Sequence, residues 1–456
     1  MEKAERRLFG TGKRYALGRG RDNARFGDRD AGRDAAAVGQ QTHGRTQTFM
    51  VSQMGRSREN ERMGKKVVWI LGAGFSKALG GPLLKELFTP KSAGDLRVQF
   101  ELKDRFPKLF DGPAKCVRWL YGHGTDVEPL WSNPEEFVDY LDTASVSRST
   151  EGPHPQFDRL VDVLSRSNLP RPGATPPDEI ATYIGNLSTA ARRLIAAECS
   201  AFLEGVDVRQ ERWRPFRRWA LSLTPEDTIV SFNYDLVLEK LGRWRTERAP
   251  GVVSPIHVVH PCHNLDPKQF EGATRILKLH GSVDWKKTKK SVQLAGGETI
   301  TRVTVTVGKD EWHALDCADE ELAIATPGPS KEPESLEFES IWGLAMVAIR
   351  AADVVALLGY SFPATDAFAK TVLLDAIGGN KAVLGEAPHG APIYTLSAHA
   401  VLGPIGDASN RVEALLNFVG NRRTEERHPG IVGWFQARQH PLLAQDFLTV
   451  FQREDL

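Results

Sequence analysis

In Lys66 to Leu71 (KVVWIL) a lysine leads into an unbroken apolar run containing three β-branched side chains, and the run stops at Gly72-Ala73-Gly74. It is too short for a helix and has no polar alternation, so it predicts a strand buried on both faces that enters a tight turn. The same signature returns at Thr228 to Phe232 (TIVSF), Ile276 to Leu279 (ILKL), Val354 to Leu358 (VVALL) and Pro392 to Leu396 (PIYTL). Each run is followed by glycine or polar residues. Helical spacing separates some of them, as at Ile341 to Arg350, where Trp342, Ala345, Met346 and Ile349 share a face.

Strands alternating with helices predict an α/β fold, a Rossmann-like doubly wound parallel sheet. Two insertions interrupt it. From 85 to 225 the pattern is mainly helical. Ser132-Asn133-Pro134-Glu135 supplies an N-cap and a first-turn proline. Phe137, Tyr140 and Leu141 mark one helical face, and Ile180, Ile184, Leu187, Ala191, Leu194 and Ile195 mark another. Asn168 to Asp178, rich in Pro and Gly, reads as a surface loop. Residues 299 to 307 (TITRVTVTV) alternate with period two and predict a small β-hairpin insertion. The main domain is placed at 65–400, and 401–456, with helical signals near Trp434 and at Leu442 to Phe451, reads as a helical tail.

Residues 1–64 carry 14 Lys and Arg against 8 Asp and Glu, a net charge of +6. With no apolar period they cannot bury enough surface to offset their ordering entropy, so they read as a disordered basic extension. The acidic residues argue against a transit peptide. Without interleaved aromatics the charge reads as a solvated tail, and direct nucleic-acid binding is not expected. Met63 stands just before the first strand. A chain beginning at Gly64 should therefore fold and act like the full chain, with limited proteolysis removing 1–63 first. A shortened chain that fails to fold would refute this.

Cys116, Cys199, Cys262 and Cys317 show no CxxC spacing, which argues against a disulfide framework and a four-thiolate zinc site. No apolar run approaches the roughly 20 residues that span a bilayer. A soluble chain in reducing cytoplasm, away from membranes, is expected. His257, His260, Cys262 and His263 crowd into seven positions, too close together to predict a metal site.

Ligands of doubly wound sheets bind beyond the carboxyl ends of the strands. Those ends here carry Gly72-Ala73-Gly74-Phe75-Ser76, Asn233-Tyr234-Asp235, His280-Gly281-Ser282 and Gly359-Tyr360-Ser361. Glycines let backbone amides approach a phosphate. The dinucleotide fingerprint is incomplete, because its third glycine position holds Lys77 and no strand ends in an acid about 20 residues on. That disfavours a hydride-transfer dehydrogenase, and the lack of a Walker lysine disfavours a P-loop ATPase. Taken singly, the motifs also read as a tight turn, a helix cap or a structural histidine.

In order along the chain, LGAGFSKALGGP (Leu71 to Pro82), SFNYD (Ser231 to Asp235), LHGSVDW (Leu279 to Trp285) and LGYSFPATD (Leu358 to Asp366) resemble the successive signatures of the sirtuin-like family, in particular its zinc-free bacterial defence-associated NADase branch. The resemblance covers most of 65–400. It implies that Gly72, Ala73, Gly74 and Ser76 hold the NAD diphosphate, and that Asn233 and Asp235 sit by the nicotinamide and its ribose. It further implies that His280 is the base and that Gly359 and Ser361 receive the adenosine ribose and phosphate. The residue types suit glycosidic cleavage, which needs an orienting amide, a carboxylate and a base, and a histidine near its usual pKa of about 6.5 is largely neutral at cytoplasmic pH. Deacylase sirtuins carry a CxxC…CxxC zinc module after the HG motif, whereas only Cys317 follows His280 here; their Phe-Arg signature is replaced by Gly81-Pro82-Leu83-Leu84. No zinc is expected.

The resemblance therefore implies an NAD+ hydrolase that yields nicotinamide and ADP-ribose and acts in bacterial antiphage defence by NAD depletion. The alternatives are an NAD-dependent protein deacylase, an ADP-ribosyltransferase, or a non-catalytic NAD or ADP-ribose sensor. Such an activity needs a gate, and the resemblance implies a homo-oligomer or a separately encoded partner, a HerA-type ATPase or an Argonaute-like protein. Apolar residues of the helical insertion and the C-terminal helix, Phe447 and Phe451 among them, are candidate contact residues for it, although packing onto the protein's own core is the more usual role of any one of them.

Overall fold

Alternate residues of the first strand feed two different cores. Val67, Trp69 and Leu71 pack into one apolar cluster, and Val68 and Ile70 into the other. A strand buried on both faces is what an unbroken apolar run requires. The computed structural model describes residues 65–88, 104–106, 134–146, 177–248, 255–262, 266–293, 299–308, 310–325, 338–363, 366–380, 385–386, 392–393, 396–427 and 437–456. The basic extension, most of the loop expected at Asn168 to Asp178 and the helical signal near Trp434 lie outside these residues. Pro177 and Asp178 open a helix.

The strands are β1 (Val67–Leu71), β2 (Thr228–Ser231), β3 (Ile256–Val258), β4 (Thr274–Lys278), β5 (Gly281–Gln293), β6 (Thr299–Val307), β7 (Leu322–Ile324), β8 (Val354–Leu358), β9 (Gly385–Glu386), β10 (Pro392–Ile393), β11 (Ser397–Val401) and β12 (Arg438–His440). Seven of them form one sheet in the order β12-β11-β8-β1-β2-β4-β3, with every neighbouring pair parallel. The helices used below are α1 (Ala73–Ser76), α2 (Pro134–Val146), α3 (Pro177–Ala201), α4 (Arg214–Ser222), α5 (Val237–Arg248), α6 (Glu339–Arg350), α7 (Ala367–Gly378), α8 (Asp407–Arg427) and α9 (Ala444–Val450). Residues of α2 to α5 and α9 pack in the cluster on one face, and residues of α6 to α8 pack in the cluster on the other. The fold is thus a doubly wound Rossmann-like α/β fold with a helical insertion between β1 and β2. Among the described residues no helix is long and apolar enough to cross a membrane.

The period-two segment forms β6, antiparallel to β5 from Trp285↔Val307 out to Gln293↔Thr299. Two expectations change at the far end of the sheet. Of PIYTL, Pro392 and Ile393 form β10, which pairs antiparallel with Glu386 and Gly385 in a separate ribbon, and among the described residues the strand beside β8 is the later SAHAV of β11. The segment expected as a helical tail also contributes an edge strand, β12, beside β11. Phe447 and Phe451 are buried, and Phe451 meets Trp69 edge-on at 5.5 Å, so both belong to the protein's own core rather than to a partner surface. Helix α9, with Phe451 as its C-cap, lays them on the β1 face, where the Trp219 ring also lies 5.6 Å from Trp69.

β11 and β12 are stitched by two histidines. His399 Nδ1 lies 2.9 Å from His440 Nε2, the rings stack at 5.2 Å, and Ser397 Oγ lies 2.8 Å from His399 Nε2. Burial pushes His399 down to about 4, helped by the charges of His440, Arg438 and Lys65; burial and Arg438 lower His440 as well. Unfolded, each titrates near about 6.5. Between that pH and about 4 the unfolded chain binds more protons than the folded one, so this contribution to stability is complete above pH 6.5 and is lost as the pH falls toward 4. The melting temperature should decline across that window, and His399→Gln should make the decline shallower. Equal slopes for the two proteins in calorimetry would contradict the assignment.

Candidate functional site

Chain order reverses at β1, which has β2 on one side and β8 on the other. A doubly wound sheet opens its crevice at such a switch point, beyond the carboxyl ends of the two strands. The loops that leave β1 and β8 meet there. Gly72 N–H donates to Leu358 O at 3.1 Å, and Gly74 N–H donates to Gly359 O at 3.2 Å. A Cβ on Gly74 would lie 2.7 Å from Gly359 Cα, and one on Gly359, whose φ is +67°, would lie 2.5 Å from Gly74 Cα. The glycines therefore serve the close approach of the two loops, and these two amides face a neighbouring carbonyl. The glycine loop runs into a single helical turn, α1, continued by a 3₁₀ turn over Lys77–Leu79.

Three residues from the first two motifs form one hydrogen-bonded chain. Asn233 Nδ2 donates to Gly72 O at 3.0 Å and to Ser76 Oγ at 3.1 Å, and Ser76 Oγ donates to Asp235 Oδ2 at 2.7 Å. Asp235 Oδ1 accepts the N–H of Val237 at 3.1 Å, at the start of α5. All three side chains are buried. Burial raises the Asp235 carboxyl above its ordinary value, opposed by the charge of Lys278 and the hydrogen bonds from Ser76 and Val237. Cys199 of α3 lies close enough to feel that carboxylate. Burial first, then Asp235 and Glu198, push its thiol well up, so it stays protonated and is a poor nucleophile.

His280 follows β4. Its carbonyl accepts the N–H of Ala325 at 2.9 Å, and its ring meets Phe232 edge-on at 4.8 Å. Phe232 in turn stacks on Tyr360 at 4.0 Å. His280 Nε2 lies 3.6 Å from Asp366 Oδ2, an ion-pair distance rather than a hydrogen bond, and the same oxygen accepts Tyr360 Oη–H at 2.7 Å. Gly281 makes the turn into β5 at φ +83°, where a Cβ would overlap the Ala323 carbonyl. Phe362, in the loop that carries Tyr360, sits at φ 51°, an uncommon conformation for a bulky residue and one that concentrates at functional loops.

Of the remaining expected site residues, Ala73 is half-buried in the glycine loop, and Ser361 is half-buried with its carbonyl accepting Arg411 Nη2 of α8 at 3.1 Å. Sequence reasoning missed Asp366, Tyr360 and Lys278. The first two stand inside the fourth motif, but their convergence on His280 depends on tertiary structure; Lys278 was visible as the one charge in ILKL. Lys278 is fully buried, and Glu239 beside it is pushed up to about 6 by burial, against the pull of Lys278 and with Asp284 adding to the rise. The rings of His257 and His260 face different partners, Phe270 at 5.3 Å and Trp285 at 5.4 Å. Among the described residues no three His, Cys, Asp or Glu are grouped to hold a metal, and His263 lies outside them.

The arrangement offers an oriented amide, a fixed carboxylate and an imidazole with its own carboxylate, on loops that leave four neighbouring strands. No protein-family model matches the chain, and no curated protein matches it.

Proposed function

We propose that the chain is a sirtuin-like NAD+ hydrolase that cleaves NAD+ to nicotinamide and ADP-ribose. The observation that supports the reading is that the Ser76–Asn233–Asp235 chain and the His280–Asp366 pair both lie on loops beyond the carboxyl ends of four neighbouring strands, with the Tyr234 ring 6.2 Å from that of His280. On this reading NAD+ is the substrate and no metal takes part.

Breaking the bond between ribose C1′ and the nicotinamide nitrogen releases a neutral base and builds positive charge on the ribose. Asn233 and Asp235 orient the nicotinamide ribose, and the carboxylate offsets the growing charge. His280 takes a proton from water as the water oxygen bonds to C1′, and Asp366 stabilises the imidazolium that forms. The bond electrons leave with nicotinamide, and the proton passes from His280 to solvent. Backbone around Gly72, Ala73, Gly74, Gly359 and Ser361 would receive the phosphates and the adenosine half. With Gly72 and Gly74 N–H already bonded to the β8 loop, fewer amides are left for the diphosphate than a free glycine loop would offer.

Depletion of NAD+ in antiphage defence is the cellular role proposed, in the cytoplasm, gated by self-association or by a separate chain such as a HerA-type ATPase or an Argonaute-like protein. The test is to incubate the purified chain with NAD+, alone, with an acetyl-lysine peptide and with lysate of phage-infected cells, and to read the products by chromatography. Equal nicotinamide and ADP-ribose, independent of peptide, is the expected result. Peptide-dependent release would move the reading to a deacylase, and NAD+ binding without cleavage in any arm would move it to a sensor.

A further inference from the structure

We infer that Lys278 is a positioning residue whose ammonium ties the loop after β2 to the loop after β4 and so holds Asp235 in register with His280. The inference rests on the reading that these two loops form the NAD+ site.

The last residue of β4 lies in register with Ser231 at the end of β2, so its side chain starts at the level where both loops begin. From there Lys278 Nζ donates to Asp235 O at 2.7 Å, to Ser282 Oγ at 2.7 Å and to Glu239 Oε1 at 2.9 Å, with Tyr234 O further off at 3.4 Å. An ammonium has three hydrogens, and three acceptors within 2.9 Å use them all. They belong to three elements: the β2 loop, helix α5 and the start of β5. Ser282 Oγ passes the connection on, donating to Asp284 Oδ1 at 2.7 Å. The amine thus bonds the backbone of Asp235, two residues before α5, and the side chain of Ser282, two residues past His280, so that both loops share one anchor.

Packing alone does not call for a charge here. Lys278 is fully buried in a strand whose neighbours Ile276 and Leu277 are also buried, and an apolar side chain of similar length fills such a place without the cost of desolvating an ion. A buried ion pair instead fixes geometry: it is satisfied in one arrangement of its partners and penalised in others. The Asp235 carboxylate is held from one side by Ser76 and Val237 N–H, and Lys278 holds the backbone of the same residue from the other.

The test compares wild type, Glu239→Gln and the double variant Lys278→Met/Glu239→Gln, which removes the ammonium without stranding an unpaired carboxylate. Each is measured for kcat and KM with NAD+, for thermal melting, and for amide hydrogen exchange of the full chain. Glu239→Gln should keep turnover within about threefold. The double variant should melt as a folded protein yet lose about 100-fold in kcat with little change in KM, the scale of a misplaced reacting group. Exchange should rise about tenfold in segments 233–240 and 279–284 and stay unchanged in β1 and β8. Wild-type turnover together with wild-type exchange in both loops would overturn the inference. So would a rise in exchange spread evenly over the sheet, which marks general destabilisation. If wild type itself does not cleave NAD+, the exchange pattern still decides on Lys278, and a loop-specific rise then leaves only the hydrolase reading refuted.

Discussion

His280→Ala is expected to lower NAD+ cleavage by about 10²- to 10⁴-fold, the usual contribution of a positioned general base. The ring lies against Phe232 and beside Asp366, on a loop held through its own backbone by Ala325, so its removal should leave the chain folded and a few degrees less stable. Asn233→Ala should also abolish cleavage, with a larger fall in melting temperature. Its amide makes two buried hydrogen bonds, to Gly72 O and Ser76 Oγ, and leaving such acceptors unmet costs about 1–3 kcal/mol. Turnover by chromatography and melting by calorimetry separate the two losses. Wild-type turnover in either variant would remove that residue from the site.

The second large effect is structural. Gly359→Ala should remove the cooperative thermal transition or leave the chain insoluble, a loss of about 4 kcal/mol or more. At φ +67° an alanine is already strained, and its Cβ would stand 2.5 Å from Gly74 C, Gly74 Cα and Phe75 N, all backbone atoms of the facing loop. Nothing there is the flexible end of a side chain. Gly185→Ala in α3 is the control: no atom lies within 4 Å of the added methyl, and the change should stabilise by up to about 1 kcal/mol. A Gly359→Ala protein that melts like the control would show that the two loops can separate.

Legibility of the fold followed hydrophobicity. VVWIL, TIVS and VVALL announce themselves because both faces of β1, β2 and β8 are buried, and an apolar run that short, rich in β-branched residues and followed by glycine or polar residues, favours a strand over a helix. SAHAV hides because Ser397 and His399 are polar, and only the pairing of His399 with Ser397 and His440 lets that strand lie inside. Three residues, RQH, are too few to show any period. PIYTL is the converse case, apolar in sequence but opened by a proline that cannot donate to a ladder. Of the candidate site residues, the strand-end motifs point to Ser76, Asn233 and Asp235, which the structure joins by hydrogen bonds, and to His280. The partners of His280 and Asp235 were not legible, because Asp366 and Lys278 reach them across the sheet and no local spacing encodes that.

Strand β1 is central, yet Val67 pairs with Val354 and Lys66 N–H donates to Asp353 Oδ2 across 287 residues of chain. Contacts of such long range form late, because the ends of a large loop must first be brought together. During synthesis, the glycine loop emerges early and waits while the insertion, the hairpin and α6 are made. Until Gly359 arrives, the carbonyl that Gly74 N–H bonds is missing, and until Asp366 follows, so is the carboxylate 3.6 Å from His280 Nε2. A chain stopped before Gly359 therefore lacks the β8 side of the switch point, and Asp366 with it. The two sides of the proposed site are thus made at widely separated times, and on that reading it can form only after α6 and β8 have been synthesised.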